Sequence, residues 1–343
     1  MPVFSARDFA DHEQVVFCTD RAAGLKAIIA LHNTACGPAL GGCRMHPYRT
    51  EDEALADVLR LSRGMTYKNA VSALPFGGGK AVIIGDPRSD KTEALLLAMG
   101  RCVDSLGGRY VTAEDVGTTV KDMDVLRRVT RFARGISDGA GNPSPATAYG
   151  VFMGIRAAVS HRLRRNSLGG LAVAVQGAGS VGSVLCEYLA KDGAHVIVAD
   201  VNEIAVRRVV KAVGARPARP DEIVGVEADV FAPCALGAVF NDDTVPRLKA
   251  KIVAGAANNQ LADPRHGHAL HARGVLYAPD YVVNAGGVID IACEGPDYSI
   301  DRVLKRVEGI YDTLTEILRR AASSGLPPFV VADRMAEERF VRA

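Results

Sequence analysis

The pattern of hydrophobic and polar positions divides the chain into two regions. In the first region, apolar runs predict strands at residues 13–17 and 25–31, and at residues 80–84 between two glycine-containing breakers. Helical spacing predicts helices over residues 52–66 and 92–106. The first region is therefore expected to mix strands and helices.

The second region has a coarser and more regular alternation of short apolar runs with helical or loop segments. A single amphipathic helix is predicted to close this region over residues 301–322. Short strands that alternate with such segments predict βαβ units around a parallel sheet. The strand-like runs begin near Leu171, His195, Asp229, Lys251 and Val275.

Two prolines and two glycines make residues 138–145 the strongest linker candidate, ahead of a helix predicted at 146–161. A length of 343 residues also favours two domains. We expect an α/β fold of two domains with a cleft between them. The first spans residues 1–140 and is joined by the C-terminal tail 326–343. The second, at 141–325, is a Rossmann-type domain.

Composition narrows the classes of partner. A net charge of +2 gives no electrostatic reason to expect nucleic acid. No apolar run reaches the roughly 18 residues of a membrane span, and the N-terminus lacks a signal-peptide pattern. Seven scattered cysteines favour reduced thiols and a cytoplasmic protein. We expect no metal site, because the histidines at 266, 268 and 271 are loosely spaced.

A glycine-rich motif in the second region predicts a dinucleotide site. It follows an apolar run at 171–176, precedes a helical pattern, and has Asp200 about twenty positions further on, as the motif requires. Asp200 would accept hydrogen bonds from ribose hydroxyls and repel a 2′-phosphate, so we expect NAD rather than NADP. The predicted cofactor-binding residues of the motif are Gly177, Gly179, Ser180, Val181 and Gly182.

Two lysines and an aspartate are the candidates for chemistry in the first region. Lys68 is predicted to lie just past a helix, Lys80 follows three glycines, and Asp115 lies at a strand-to-loop transition. A lysine near another cation loses proton affinity and can act as a base, and glycines let a small substrate approach the backbone. Taken alone, each residue is more often an ordinary side chain, since most lysines are solvated and most aspartates cap a helix or form a pair.

Several segments, taken together, resemble the glutamate/leucine/phenylalanine/valine dehydrogenase family, and within it the leucine type. The resemblance runs over nearly the whole chain, with the motifs in order. It implies a homo-oligomeric enzyme that converts an L-amino acid, NAD⁺ and water into a 2-oxo acid, ammonium and NADH. The segments are RGMTYKNAVSALPFGGGKAVIIGDP, TAEDVGTT, GNPSPATAYGV, DVFAPCALG, GAANNQL and YAPDYVVNAGG.

The same resemblance implies roles for individual residues. Lys68 corresponds to the lysine that holds the substrate α-carboxylate, and Lys80 to the catalytic lysine that activates water. Asp115 corresponds to the acid/base that exchanges a proton with the substrate nitrogen. Asn259 corresponds to the asparagine beside substrate and nicotinamide, and Asn258 is the neighbouring cofactor-side candidate.

The resemblance also implies a side-chain pocket formed by Leu40, Gly41, Ala113 and Val288. Glutamate members carry a lysine at the position of Leu40 and a hydroxyl at that of Val288, so a γ-carboxylate here would be buried unpaired at a cost of several kcal/mol. Ala113 and Val288 together match the leucine type, although pocket walls are also ordinary core. The alternatives are phenylalanine or valine as substrate, an NADP-linked reductase, and an NAD-binding regulator without catalysis.

Overall fold

The computed structural model describes residues 3–341, which form two compact units. The first unit contains residues 3–142, Ile291–Tyr298 and residues 336–341. The second contains Pro143–Asp290 and Ser299–Met335. The chain therefore returns to the first unit twice, whereas the sequence pattern indicated one return, through the tail from residue 326.

The first unit is built on a five-stranded mixed sheet with the order β1-β2-β4-β3-β5. β2 runs antiparallel to both β1 and β4, whereas β3 runs parallel to both β4 and β5. Three parallel strands therefore end at the same edge of the sheet. The strands are β1 (Gln14–Asp20), β2 (Leu25–Asn33), β3 (Ala39–His46), β4 (Gly77–Ile84) and β5 (Tyr110–Glu114).

Helices cover both faces of this sheet. α1 (Glu51–Val71) begins at the N-cap residue Thr50, whose side chain accepts a hydrogen bond from the backbone of Glu53. Its apolar side packs on one face of the sheet, and α2 (Glu93–Ser105) and α3 (Val120–Arg127) pack on the other. A short 3-10 helix at Val3–Ser5 precedes the sheet.

The second unit is built on a six-stranded sheet, all parallel, with the order β11-β10-β9-β6-β7-β8. The strand order reverses between β6 and β9, and open α/β sheets bind ligands at such a point. The predicted parallel sheet is confirmed. Its strands are β6 (Ala172–Gln176), β7 (His195–Ala199), β8 (Arg216–Pro217), β9 (Val230–Pro233), β10 (Ile252–Val253) and β11 (Leu276–Tyr277).

Helices connect these strands and complete the chain, and none of those described at 3–341 is long and apolar enough to span a membrane. The single helix predicted over 301–322 is wrong in one respect, because it is interrupted at Glu308. The helices are α4 (Ser144–Leu163), α5 (Ser180–Lys191), α6 (Glu203–Val213), α7 (Thr244–Arg247), α8 (Pro264–Ala272), α9 (Asp280–Val283), α10 (Gly286–Cys293), α11 (Ile300–Val307), α12 (Gly309–Ser324) and α13 (Pro328–Phe340), with a 3-10 turn at Ile223–Gly225.

Two sequence predictions for the first unit are corrected by the structure. Lys68 does not follow α1 but lies within its last turn, because the helix continues to Val71. The glycines before Lys80 do not break the strand, since β4 begins at Gly77. A Cβ atom on Gly78 would lie 2.0 Å from the backbone nitrogen of Thr66, so the glycine is needed where α1 crosses the strand.

One pair of cysteines also departs from the expectation of reduced thiols. Cys18 on β1 and Cys102 on α2 form a disulfide, with a Cα–Cα distance of 6.3 Å. The two residues are 84 positions apart, so their contact arises only when α2 packs against the sheet. Spacing along the sequence therefore could not reveal the pair.

Candidate active site

An ion pair joins two of the three residues singled out in the first unit. Lys80 lies on β4 and is only 5% exposed, and Asp115 lies directly after β5. The Nζ atom of Lys80 is 3.1 Å from Oδ1 of Asp115. A lysine and a carboxylate in contact can exchange protons with a bound substrate.

Arg44, on β3 between these two strands, was not predicted from the sequence. Its Nε atom donates to Oδ2 of Asp115 at 2.8 Å, and its Nη1 atom donates to Asp57 at 2.9 Å. Burial alone would raise the pKa of Asp115, but Lys80 and Arg44 outweigh it and hold that pKa below its usual value. Asp115 is therefore ionised at neutral pH.

The loop after β5 holds the backbone of Asp115 in place. The Asp115 N–H donates to the hydroxyl oxygen of Thr118 at 2.9 Å, and that hydroxyl donates to the carbonyl of Cys43 at 2.8 Å. Gly117 has a φ of +82° and lies against Met45, where a Cβ atom would be 2.0 Å from the carbonyl oxygen. The loop is thus tied directly to β3.

The third candidate, Lys68, lies in the last turn of α1. Asn69, next to it, donates from Nδ2 to the carbonyls of Leu40 at 3.2 Å and Gly77 at 2.6 Å. The last turn of α1 is therefore fixed to both β3 and β4. Half-buried Lys68 is carried by that turn.

The predicted pocket residues of the first unit lie on adjacent strands. Leu40 and Ala113 are 1% and 2% exposed, and β3 pairs with β5 in register through Gly42 and Ala113. Gly41 must lack a side chain, because a Cβ atom would lie 1.9 Å from the Gly79 carbonyl oxygen. Leu40 and Ala113 are therefore buried apolar side chains on the sheet that carries Lys80.

In the second unit, the glycine-rich segment forms the turn between β6 and α5. Gly177 has a φ of +107°, and a Cβ atom on Gly182 would lie 2.0 Å from the Gly177 carbonyl oxygen. Gly179 is the N-cap of α5 and makes no side-chain cap, and a Cβ atom added to it would meet no neighbouring atom within 4 Å. The uncapped start of a helix beside open space suits a pyrophosphate group.

Asp200 lies at the end of β7, next to this turn. Its Oδ2 accepts a hydrogen bond from the Ala178 N–H at 2.7 Å, and its Oδ1 accepts one from the Asn202 N–H at 2.8 Å. Each carboxylate oxygen retains capacity to accept a further bond. The residues present therefore fit the adenosine end of a dinucleotide.

Asn258 and Asn259 are exposed in the loop after β10. The buried side chain of Asn284, not predicted from the sequence, donates to Asn258 Oδ1 at 2.7 Å and to the Ala256 carbonyl at 3.0 Å. Asn284 thereby orients Asn258. Val288, the remaining predicted pocket residue, lies on α10 and is 8% exposed.

Family models cover most of the chain. Residues 12–132 match the Glu/Leu/Phe/Val dehydrogenase dimerisation domain. Residues 139–206 and 201–326 match the Glutamate/Leucine/Phenylalanine/Valine dehydrogenase model. The chain belongs to the Glu/Leu/Phe/Val dehydrogenase family. The family predicted from the sequence motifs is confirmed, and the protein is an amino acid dehydrogenase that uses a nicotinamide cofactor.

Individual relatives align with nearly the whole length of this dehydrogenase. It is 54% identical to leucine dehydrogenase of Geobacillus stearothermophilus over 342 residues, which is 99% of this chain and 93% of the relative. It is equally 54% identical to valine dehydrogenase of Streptomyces coelicolor, over 98% of this chain and 94% of the relative. The crystal structure of L-tryptophan dehydrogenase from Nostoc punctiforme superposes with a TM-score of 0.86 at 46% identity, covering 97% and 96% of the two chains.

Proposed function

We propose that this dehydrogenase oxidises L-leucine, or another branched-chain L-amino acid, using NAD⁺. With water, the reaction gives the 2-oxo acid, ammonium, NADH and a proton. The observation that best supports this proposal is the ion pair of the buried Lys80 with Asp115, on a sheet in which the strand next to that of Lys80 carries Leu40. The pair supplies the groups for proton transfer, and Leu40 offers no charge to a γ-carboxylate.

Each of the three polar candidates in the first unit has one proposed task. Lys68 binds the α-carboxylate of the substrate through its ammonium group. Asp115 exchanges a proton with the substrate nitrogen, and Lys80 activates the water that attacks the imine carbon. The bound nicotinamide supplies the oxidising chemistry, since it accepts the hydride from the substrate Cα. The protein's contribution is positioning and proton handling.

The cofactor preference follows from charge at the end of β7. The Asp200 carboxylate suits ribose hydroxyls and repels a 2′-phosphate, which supports NAD over NADP. The proposed pyrophosphate contacts are the glycines and first helical turn at 177–182. Asn259 and Asn258 are the proposed contacts near the nicotinamide, with Asn258 oriented by Asn284.

Leu40, Gly41, Ala113 and Val288 are the proposed determinants of side-chain selectivity. An apolar wall rejects glutamate because its γ-carboxylate would lose hydration without gaining a partner. It separates leucine from valine or phenylalanine only about 10–200-fold, because those substrates differ by apolar volume. Valine is the second candidate, given the equal identity to a valine dehydrogenase.

The assembly and location are also proposals. The family model of residues 12–132 describes a dimerisation domain, which supports a homo-oligomer. We propose a cytoplasmic enzyme whose ligands are the amino acid, the 2-oxo acid, ammonium and NAD, and which has no nucleic-acid or membrane partner. The first unit acts as the substrate-binding domain and the second as the cofactor-binding domain.

Initial rates at mildly alkaline pH test the proposal. L-leucine, L-valine, L-phenylalanine and L-glutamate are compared, each with NAD⁺ and with NADP⁺. Leucine or valine with NAD⁺ should be fastest. Phenylalanine ahead would contradict the pocket assignment while keeping the mechanism, and NADP⁺ ahead would contradict the role of Asp200. No turnover of any of the four would contradict the proposed substrates.

A further inference from the structure

Arg44 connects Asp115, the proposed acid/base, to a second carboxylate, that of Asp57. Its guanidinium donates from Nε to Oδ2 of Asp115 at 2.8 Å and from Nη1 to Oδ2 of Asp57 at 2.9 Å. The side chains of Arg44 and Asp57 are 21% and 16% exposed. The planar guanidinium is thus held from two directions, which fixes the position of its Nε.

The two oxygens of Asp115 consequently have different partners. Oδ1 faces the Nζ atom of Lys80 at 3.1 Å, whereas Oδ2 accepts the hydrogen bond from Arg44. The backbone of Asp115 is fixed separately through Thr118. The remaining freedom of Asp115 is the rotation of its carboxylate, and Arg44 controls that rotation.

Asp57 is itself held firmly enough to act as an anchor. The hydroxyl of Tyr48 donates to its Oδ2 at 2.7 Å, and Arg60 donates to its Oδ1 at 2.7 Å. The charges also balance, because Asp57 compensates Arg44 while Asp115 compensates Lys80. Arg44 can therefore contact Asp115 as a second cation beside Lys80, because the net charge of the four groups is still zero.

We propose that Arg44, anchored by Asp57, is a positioning residue that holds Oδ2 of Asp115 so that Oδ1 is the oxygen presented to the substrate nitrogen. This inference rests on the proposed function. A guanidinium does not release its proton in proteins, so Arg44 takes no part in proton relay and acts through geometry and charge.

The charge of Arg44 has a second consequence for Asp115. Burial pushes the pKa of Asp115 up, and Lys80 and then Arg44 pull it down. Removal of Arg44 should therefore raise that pKa and move the acidic limb of the activity profile to higher pH. Other titratable groups also feel the charge of Asp115: Cys43, Tyr48, Tyr110 and Glu114.

The test is Arg44→Gln, with kcat and kcat/KM measured against pH for the best amino acid substrate. A misplaced acid/base should lower kcat on the order of 10²-fold, with a smaller change in KM, and shift the acidic limb upward. Arg44→Lys restores the charge without the two-sided geometry, so it should return the acidic limb toward its original position while kcat stays low. Asp57→Asn should act in the same direction as Arg44→Gln, more weakly.

Arg128→Gln is the matched control, because Arg128 is paired with the exposed Glu93 and makes no ion pair with Asp57 or Asp115 in the described chain. It should leave kcat and the pH profile unchanged. An Arg44→Gln enzyme would overturn the proposal if its kcat were within twofold of the parent value and its acidic limb lay at the same pH.

A crystal structure of Arg44→Gln gives a second readout that needs no turnover. The carboxylate of Asp115 should rotate away from its present orientation, and an unchanged orientation overturns the proposal. If the parent oxidises none of the four amino acids, the proposed function fails, and the crystal structure still decides whether Arg44 positions Asp115.

Discussion

The glycine-rich turn of the second unit, the proposed dinucleotide site, is made from neighbouring residues, whereas the ion-pair cluster of the first unit is made from distant ones. Gly177, Gly179 and Gly182 form their site through backbone geometry within one βα turn. Arg44, Lys80 and Asp115 come from three adjacent parts of a sheet and meet through their side chains.

This difference determines what a substitution removes. In the cluster, loss of one side chain leaves the fold intact, but the charge of its partner is no longer compensated. In the turn, a side chain added at Gly177 or Gly182 collides with backbone that cannot move independently. Catalysis should therefore be sensitive to side-chain identity in the first unit, and stability to backbone space in the second.

Lys80→Ala should give the largest effect and would separate the two regions most clearly. It removes the partner of Asp115 Oδ1 and the group proposed to activate water, so kcat should fall by about 10²–10⁴-fold. Binding of NADH, measured by fluorescence titration, should be nearly unchanged because the turn of the second unit is intact. Lys26→Ala, at an exposed position on the neighbouring strand β2, is the control. Retained turnover in Lys80→Ala would overturn the assignment of Lys80.

A pair of glycine variants tests the second unit in the same way. Gly182→Ala places a Cβ atom 2.0 Å from the Gly177 carbonyl, so α5 must shift, at a cost of about 1–3 kcal/mol in unfolding free energy. Gly179→Ala meets open space and an extended backbone with φ of −73°, so its stability should be close to that of the parent.

The same Gly179→Ala variant should bind NADH at least about tenfold more weakly, because its methyl group occupies space proposed for the pyrophosphate. Chemical unfolding and NADH titration of both variants check the two effects independently. NADH affinity equal to that of the parent in Gly179→Ala would show that the pyrophosphate does not pass this residue.

The contrast also explains which features could be predicted from the sequence. The glycine-rich turn and the parallel strands of the second unit have local patterns, and five of the six strands were predicted; only the two-residue β8 was missed. β3 was missed, because its core carries two adjacent glycines, Gly41 and Gly42, and lacks the alternation or apolar run typical of a strand. Arg44 was missed with it.

Non-local contacts account for the other omissions. The position of Lys68 inside α1 and the glycines inside β4 both depend on the close packing of α1 on the sheet. The Asn284–Asn258 contact joins residues 26 positions apart, and no local pattern marks it. Lys80 and Asp115 were identified by family motifs, but their contact is a property of the folded sheet.

A histidine in the first unit should make stability depend on pH. Burial, with a smaller contribution from nearby His12, lowers the pKa of His32 to about 4, from a usual value of 6.5. The unfolded chain therefore binds more protons than the folded chain between these two values. Stability should be complete above pH 6.5 and fall as pH is lowered toward 4, by at most about 3 kcal/mol.

Unfolding midpoints of the parent and His32→Gln at pH 8 and pH 5, at one protein concentration, check this prediction. The variant should be less stable at pH 8, because the contact of His32 Nδ1 with Thr66 at 2.8 Å is altered. It should, however, lose less stability between the two pH values. An equal loss in both proteins would show that His32 is not responsible.

The smallest expected effect concerns the tail that joins the first unit from residue 336. Arg339 donates to the carbonyls of Ala70 and Val71 at the end of α1, and Glu337 accepts a hydrogen bond from the Tyr67 hydroxyl at 2.8 Å. A cation at a helix C-terminus contributes about 0.3–1 kcal/mol. Arg339→Ala should lower stability by about that amount.

Because Lys68 lies in the same last turn, the loss of Arg339 should also be visible in substrate binding. A comparable free-energy change corresponds to about a two- to five-fold rise in KM for the amino acid, with kcat little changed. Arg334→Ala, at an exposed position on α13, is the control. A fall in kcat without a change in KM would mean that the tail acts on the ion-pair cluster instead. The comparison would then need revision, because a backbone cap would be supporting the side-chain chemistry of Lys80 and Asp115 directly.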